Sequence, residues 1–321
     1  MSTALTTKTR FKVYSGITGT GQDALIDALI LQISDQIIKY LRRDLTVTTY
    51  LSWVDGTGSP ILRLAQWPIL SLYQVFVTTM TVGYIENTSA TVSRASVSFD
   101  GTNLSLTEIS TAGVVKTTDL PVATSKILST LKTAVEAVSG WSMTLNSSDY
   151  ESEPTSMLRP IYAASAVDPD TADLVLPDNP AAVKVIAEDM IELLQSGNDP
   201  FGFGGGSIVE GFDATTGIGQ GFPSGSANVL VWYKAGYTLP SDAVVGPPAV
   251  AASDGTLPPG LALLVHQILQ DVLSSTKYNS NLQSESIGNY SYSLSAQDKG
   301  AVLSAVNNRK KDLDLYRKVI L

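Results

Sequence analysis

The sequence predicts an α+β protein: a helical core of three main helices plus a small antiparallel sheet, interrupted by a long inserted α+β domain. Three observations carry this. Long helical stripes of apolar residues lie at 23–43 and 259–275, far apart in the chain. Short apolar runs with Asp-Gly turns, or ending against proline, neighbour each of them. Between 83 and 221 the pattern changes to hairpin signals, a separate helix and a glycine-rich stretch. The expected organisation is therefore a discontinuous domain over 1–82 and 222–321, with an insert at 83–221.

Residues 1–20 read as a polar arm broken by Gly16, Gly19 and Gly21. The first helix follows, with Leu25, Leu29, Ile33, Ile37, Tyr40 and Leu41 at helical spacing. Asp23 and Asp27 suit its positive end and Arg42-Arg43 its negative end. Leu31 and Ile38 fall on the other side of that stripe, so the helix reads either as buried on two faces or as carrying two stray exposed apolar residues. Next come an extended run at 47–53, a turn at Asp55-Gly56-Thr57-Gly58, a second run at 61–64, Pro68, and a strand at 70–77.

Within the insert, runs at 90–99 and 104–109 flank Asp100-Gly101-Thr102-Asn103, a hairpin signal. A helix is expected over 124–138, strands at 141–145 and 173–176, and a second helix from Asn179-Pro180 to Leu194. Residues 197–225 read as a loop. Asn228 opens the strand NVLVWYKAGY, which Pro240 stops because proline cannot extend a ladder. After the helix at 259–275, residues 278–295 read as extended. Ser295 with Asp298 then opens a final helix, where Arg309 falls on the apolar face. That arginine implies a snorkelling side chain, an ion pair or a break at Asn307-Asn308.

The 321 residues include no cysteine, which excludes disulfides and thiolate metal sites. No apolar run reaches the ~18 residues of a spanning helix, and MSTALTTKTRFKV lacks the apolar stretch of a secretory signal. A soluble protein is expected. Net charge is −9, which argues against a phosphate-holding DNA binder. Charged residues make up 16%, below the ~25% of ordinary domains, consistent with surface hidden in subunit contacts.

No residue set points to chemistry. His266 is the single histidine and sits at the margin of a helical apolar stripe, a place for an ordinary hydrogen bond. The run Gly202-Phe203-Gly204-Gly205-Gly206-Ser207 lacks the lysine and hydroxyl that a phosphate loop needs. Asp168-Pro169-Asp170 with Asp173 has turn character rather than cation-loop spacing. The expectation is a protein that is not an enzyme, without cofactor or metal.

The order of elements resembles the head-tail connector (head-completion, adaptor) proteins of tailed bacteriophages. The residues that carry it are the helix ending in Arg42-Arg43, the Asp55-Gly56 turn, Leu62-Arg63-Leu64, Pro68-Ile69 and Val75-Phe76-Val77. In the second half they are Val231-Trp232-Tyr233-Lys234-Ala235-Gly236-Tyr237 with Pro240, the long helix, Gly288-Asn289-Tyr290-Ser291-Tyr292-Ser293, and the last helix reaching Tyr316-Arg317. Asn289 stands where the pattern carries an aspartate, and the insert at 83–221 is an addition.

The resemblance implies a structural virion protein at the neck, assembled in the host cytoplasm as a homo-oligomeric ring of about twelve subunits. Its implied partners are the portal protein above and tail proteins below, with DNA passing the lumen unbound and no membrane contact. An acidic balance fits such a conduit. Leu31, Ile38, Arg42 and Arg43 are the expected subunit-interface residues. Arg309, Lys310, Lys311, Tyr316, Arg317, Lys318, Ile320 and Leu321 are the expected portal contact, an apolar end rimmed by cations. The insert is expected to meet tail or decoration proteins. The competing function is a receptor- or glycan-binding virion module carried by the insert.

Overall fold

The computed structural model describes residues 4–178, 180–194, 221–241, 253–279, 284–287, 290–293 and 301–317. In chain order α1 (Lys8–Ser15) and α2 (Asp23–Leu41) come first. Seven strands follow: β1 (Thr48–Gly56), β2 (Ile61–Arg63), β3 (Ile69–Phe76), β4 (Thr79–Asn87), β5 (Val92–Phe99), β6 (Asn103–Ser110) and β7 (Val115–Pro121). Then come α3 (Leu128–Glu136), β8 (Trp141–Leu145), β9 (Ile161–Ser165), β10 (Ala172–Pro177), β11 (Val183–Ala187), β12 (Met190–Leu193) and β13 (Gly225–Ala235). The chain closes with α4 (Pro259–Asn279), the hairpin β14 (Ser284–Ile287) and β15 (Tyr290–Ser293), α5 (Ala301–Asn308) and α6 (Lys310–Leu313).

The expected helical core with a small sheet is corrected. Among the described residues the protein is mostly β, with 39% strand against 30% helix. The strands outweigh the helices because several segments expected as helix, loop or domain boundary are strands. Position 83, the expected start of the insert, lies within β4.

The chain divides into two compact units. One comprises Met1–Thr48, Ala65–Leu70 and Ala235–Leu321; the other comprises Thr49–Leu64 and Ser71–Lys234. The first is helical. Ile26, Ile30, Ile33, Ile37 and Leu41 of α2 share one apolar core with Leu261, Val265, Ile268 and Val272 of α4. Val302 and Val306 of α5 and Leu313 of α6 complete it. These residues recur every three to four positions, so each helix turns one stripe inward and its burial supplies the main stabilisation.

The final helix is broken. Arg309 (φ −105°, ψ 10°) separates α5 from α6, directly after two asparagines, which are poor helix formers. Residues 1–20 are also more than an arm. Thr7 caps α1 by accepting from the Arg10 amide at 3.3 Å, and Gly16 closes it at φ 71°.

The second unit holds most of the sheets. One runs β7-β6-β5-β9, another β10-β4-β8, and α3 lies with them over a common interior. Val97 and Phe99, Leu104 and Leu106, and Ile85 and Met143 alternate inward along their strands, while Leu128, Leu131 and Val135 come from α3. The expected hairpin at Asp100 forms, pairing Phe99 with Leu104. The Asp100 carboxylate accepts the Thr102 and Asn103 amides at 2.7 Å each, which holds its pKa below the usual 3.8.

Two further expectations are overturned here. Residues 180–194 are a hairpin, not a helix: Val183 pairs with Leu193, Lys184 with Glu192 and Val185 with Ile191. The β-branched residues Val183, Val185, Ile186 and Ile191 favour a pleated surface, and Lys184 meets Glu192 across the ladder at 2.8 Å. The Asp55-Gly56 turn does not join a hairpin either. β1 belongs to a sheet ordered β1-β13-β3, and β2 to one ordered β11-β12-β2. Asp55 instead accepts the Ala227 amide at 2.7 Å and the Ser226 hydroxyl at 3.1 Å. A side chain at Gly56 would stand 1.8 Å from the Pro223 carbonyl, so this glycine permits a close approach of backbones.

Candidate functional site

The site is assembled in the helical unit, around the C-terminal end of α2. That end is closed by Arg42, which adopts a left-handed conformation (φ 54°) and donates its amide to the Ile38 carbonyl at 3.1 Å. Its side chain is exposed. One residue later Arg43 is buried, at 4% exposure. Its guanidinium lies 3.8 Å from the centroid of the Trp67 ring and 5.5 Å from that of Tyr237, and Nη1 donates to the Trp67 carbonyl at 3.1 Å. Arg43 is thus an internal staple rather than the expected subunit-interface residue. A desolvated cation on aromatic faces is worth about 2 kcal/mol.

The Ala235-Gly236-Tyr237 motif explains itself at the same place. Gly236 sits at φ 115°, and a Cβ there would meet the Thr46 carbonyl at 2.4 Å. Only glycine lets the chain leave β13 so close to 45–47. Its amide donates to the Pro68 carbonyl at 3.0 Å and that of Tyr237 to the Leu45 carbonyl at 2.8 Å. This turns the Tyr237 ring under Arg43.

Two of the expected portal-binding residues, Lys310 and Arg317, stand over Tyr40, near the end of α2. Lys310 Nζ stands 5.5 Å from the centroid of the Tyr40 ring and Arg317 Cζ 5.2 Å from it. The Tyr40 hydroxyl donates to the Asp314 carboxylate. That hydrogen bond, with desolvation and the Asp314 charge, holds the phenol above its ordinary 10.0, against the opposing Arg317. Arg309 pairs with Asp271 of α4 at 3.5 Å, both partly exposed, so the pair is worth little. Lys311 is exposed. Tyr316 packs against the helical core, and a Cβ on Gly260 would stand 2.4 Å from its hydroxyl. Lys318, Ile320 and Leu321 lie outside the described residues.

The two apolar residues expected at the subunit interface differ in setting. Leu31 is 42% exposed on the outer side of α2, whereas Ile38 packs against the core. Leu25, assigned by its spacing to the inner stripe, is 40% exposed. The periodicity does not single out Tyr40, because its spacing places it in the same stripe, where it packs against the core. The cluster of cations at 309–317 is the available signal for a ring to bracket.

His266 on α4 shares a 2.7 Å hydrogen bond with the buried Thr6 hydroxyl, and its ring lies 5.1 Å from Tyr14 and 6.1 Å from Phe11. Burial, with the Arg10 charge second, holds its pKa below 6.5. Asp170 accepts from Ser165 at 2.8 Å in the turn between β9 and β10. Among the described residues no three His, Cys, Asp or Glu side chains gather as metal ligands. The glycine run at 202–207 lies outside the described residues. Among them, no helix is long and apolar enough to cross a membrane.

Comparison with protein-family models, with curated proteins and with solved structures gives no match to this chain.

Proposed function

We propose that this chain is a head-tail adaptor of a tailed bacteriophage: a structural protein that forms a ring beneath the portal, joins capsid to tail and extends the DNA channel. One observation carries the reading. The helices that bear the resemblance, on either side of the long excursion, share a single apolar interior, with α2 against α4, α5 and α6, while the strands at 61–64, 71–77 and 231–234 belong to the other unit. Tyr40 is bonded to Asp314 across 274 residues of chain. Leu25 and Leu31 are exposed apolar residues on the solvent side of α2, available to a neighbouring copy. A ring needs one patch to meet a different one on the next subunit, so that the rotation closes. Exposed Arg42 is a candidate contact to the neighbouring subunit, and Lys310, Lys311 and Arg317 are candidate contacts to the portal.

Light scattering with and without the portal protein tests this. The expected result is a ring of about a dozen subunits, alone or on the portal. A trimer that ignores the portal would defeat the reading and favour a receptor- or glycan-binding module. For the portal contact, truncation after Arg317 is the informative deletion, because Leu313 is wholly buried and a cut at 307 would open the core. The shortened chain is expected to keep its melting temperature and to bind the portal more weakly, since the cations up to Arg317 remain. Undiminished binding removes 318–321 from the contact.

A further inference from the structure

The N-terminal segment docks in the helical core through buried side chains, and a short glycine-containing loop joins it to α2. Leu5 and Phe11 are fully buried in the core built by α2 and α4. The Leu5 amide donates to Ser34 Oγ of α2 at 2.9 Å, and buried Thr6 bonds to His266 of α4. Around these, Lys8 pairs with Asp27 at 2.9 Å, Lys12 with Asp23 at 2.8 Å and Arg10 with Asp254 at 3.0 Å. Apolar plugs at the centre and ion pairs at the rim are how a helix docks into a partner's groove.

The tether carries fewer anchors: Lys12 Nζ donates to the Gly19 carbonyl at 2.6 Å, and Ile17 packs against the core. Between α1 and α2, residues 16–22 include Gly16, Gly19 and Gly21, and a Cβ on any of them would meet nothing within 4 Å. An open cleft separates this loop from α1, lined by Lys12, Val13, Ile17 and Thr18. Seven residues reach at most about 25 Å when extended. Redirecting such a tether to another copy of the chain gives up the bond between Lys12 and the Gly19 carbonyl but keeps the contacts of the docked segment with α2, α4 and Asp254, which makes exchange of an identical element a low-cost route to association.

We propose that in the assembled protein α1 leaves its own α2–α4 groove and fills that of a neighbouring copy. The inference rests on the ring reading and deepens it, since each subunit would then be tied to the next by Leu5 and Phe11 in the neighbour's core. Dissociation would require pulling both from their sites. The exposed Leu25 and Leu31 of α2 would bring copies together, and the exchanged arm would lock them.

The chain has no cysteine, so introduced thiols report cleanly on which copy supplies the arm. One variant is L5C/S34C, at the 2.9 Å contact, oxidised to a disulfide. A second, R10C/D254C, joined by a short bis-maleimide, uses surface positions and spares the buried Leu5. Each is assembled at high concentration with portal protein, fractionated by size and run on a denaturing gel. The expected result is a covalent ladder of dimers and larger species from the assembled fraction, with intrachain links in any monomer. Assembled rings whose cross-linked chains all run singly overturn the exchange and leave the ring standing. A ladder from a species smaller than a ring supports the exchange and removes the ring. A chain that stays monomeric in every condition overturns both.

Discussion

At the scale of single residues, Arg42 and Arg43 show how adjacent identical side chains acquire unlike roles. Arg42 takes the left-handed position that ends α2, so its side chain stays in water, while Arg43 is carried inward between Trp67 and Tyr237. Arg43→Lys keeps the charge and loses the planar stack, and is expected to cost about 2 kcal/mol of unfolding free energy in urea. Arg42→Gly relieves the left-handed backbone and is expected to stay within about 1 kcal/mol of the parent. Equal losses would show that the stacking is not the source. His266 gives a pH signature. Its folded pKa is lowered by burial, so the unfolded chain takes up a proton first as pH falls. The stability due to the neutral ring is complete above 6.5 and is lost as pH falls from there through the lower folded value. As the chain's single histidine, it is the side chain whose ordinary pKa places its titration just below neutrality. Melting temperature should fall over that window, and His266→Gln should flatten the fall. A variant that keeps the full slope would place the titration elsewhere.

Among elements, legibility depends on whether a segment's partner is local. β8 is legible to its termini and the β5–β6 hairpin to within a few residues, because Asp100-Gly101 and the alternation beside it act between neighbours. The β11–β12 hairpin is not. Its apolar residues satisfy a helical period nearly as well as an alternating one, and what settles it is β12 pairing with β2 more than a hundred residues away. α1 escapes the periodicity because eight mostly polar residues carry one buried apolar anchor, Phe11, although Thr7 and Gly16 mark both ends. The Asp55-Gly56 pair is special for a reason other than the expected one. It holds the first residues of β13 rather than turning a hairpin. Asp55→Ala removes the acceptor for the Ala227 amide and the Ser226 hydroxyl, and is expected to cost about 1–3 kcal/mol in a thermal melt. A cost near zero would mean that water replaces the carboxylate there.

For the whole molecule, the decisive feature is that the boundaries between units fall at the ends of strands rather than at the edges of the insert. Excising 83–221 would cut β4 and strip β2 of β12, so that deletion is expected to yield an aggregating chain. Joining Met1–Thr48, Ala65–Leu70 and Ala235–Leu321 by flexible linkers keeps the shared helical core whole. The joined chain is expected to be helical by circular dichroism and to melt cooperatively; a broad, non-cooperative melt would show that the helical unit depends on the other. The amino-acid sequence alone determined the helices of the core, the alternating strands and the low charge, because period and composition are local properties of the chain. Tertiary structure alone decided which unit each strand joins, where Arg43 points and what surrounds Tyr40. Those outcomes depend on pairing and burial between residues far apart in the chain, which no local pattern records.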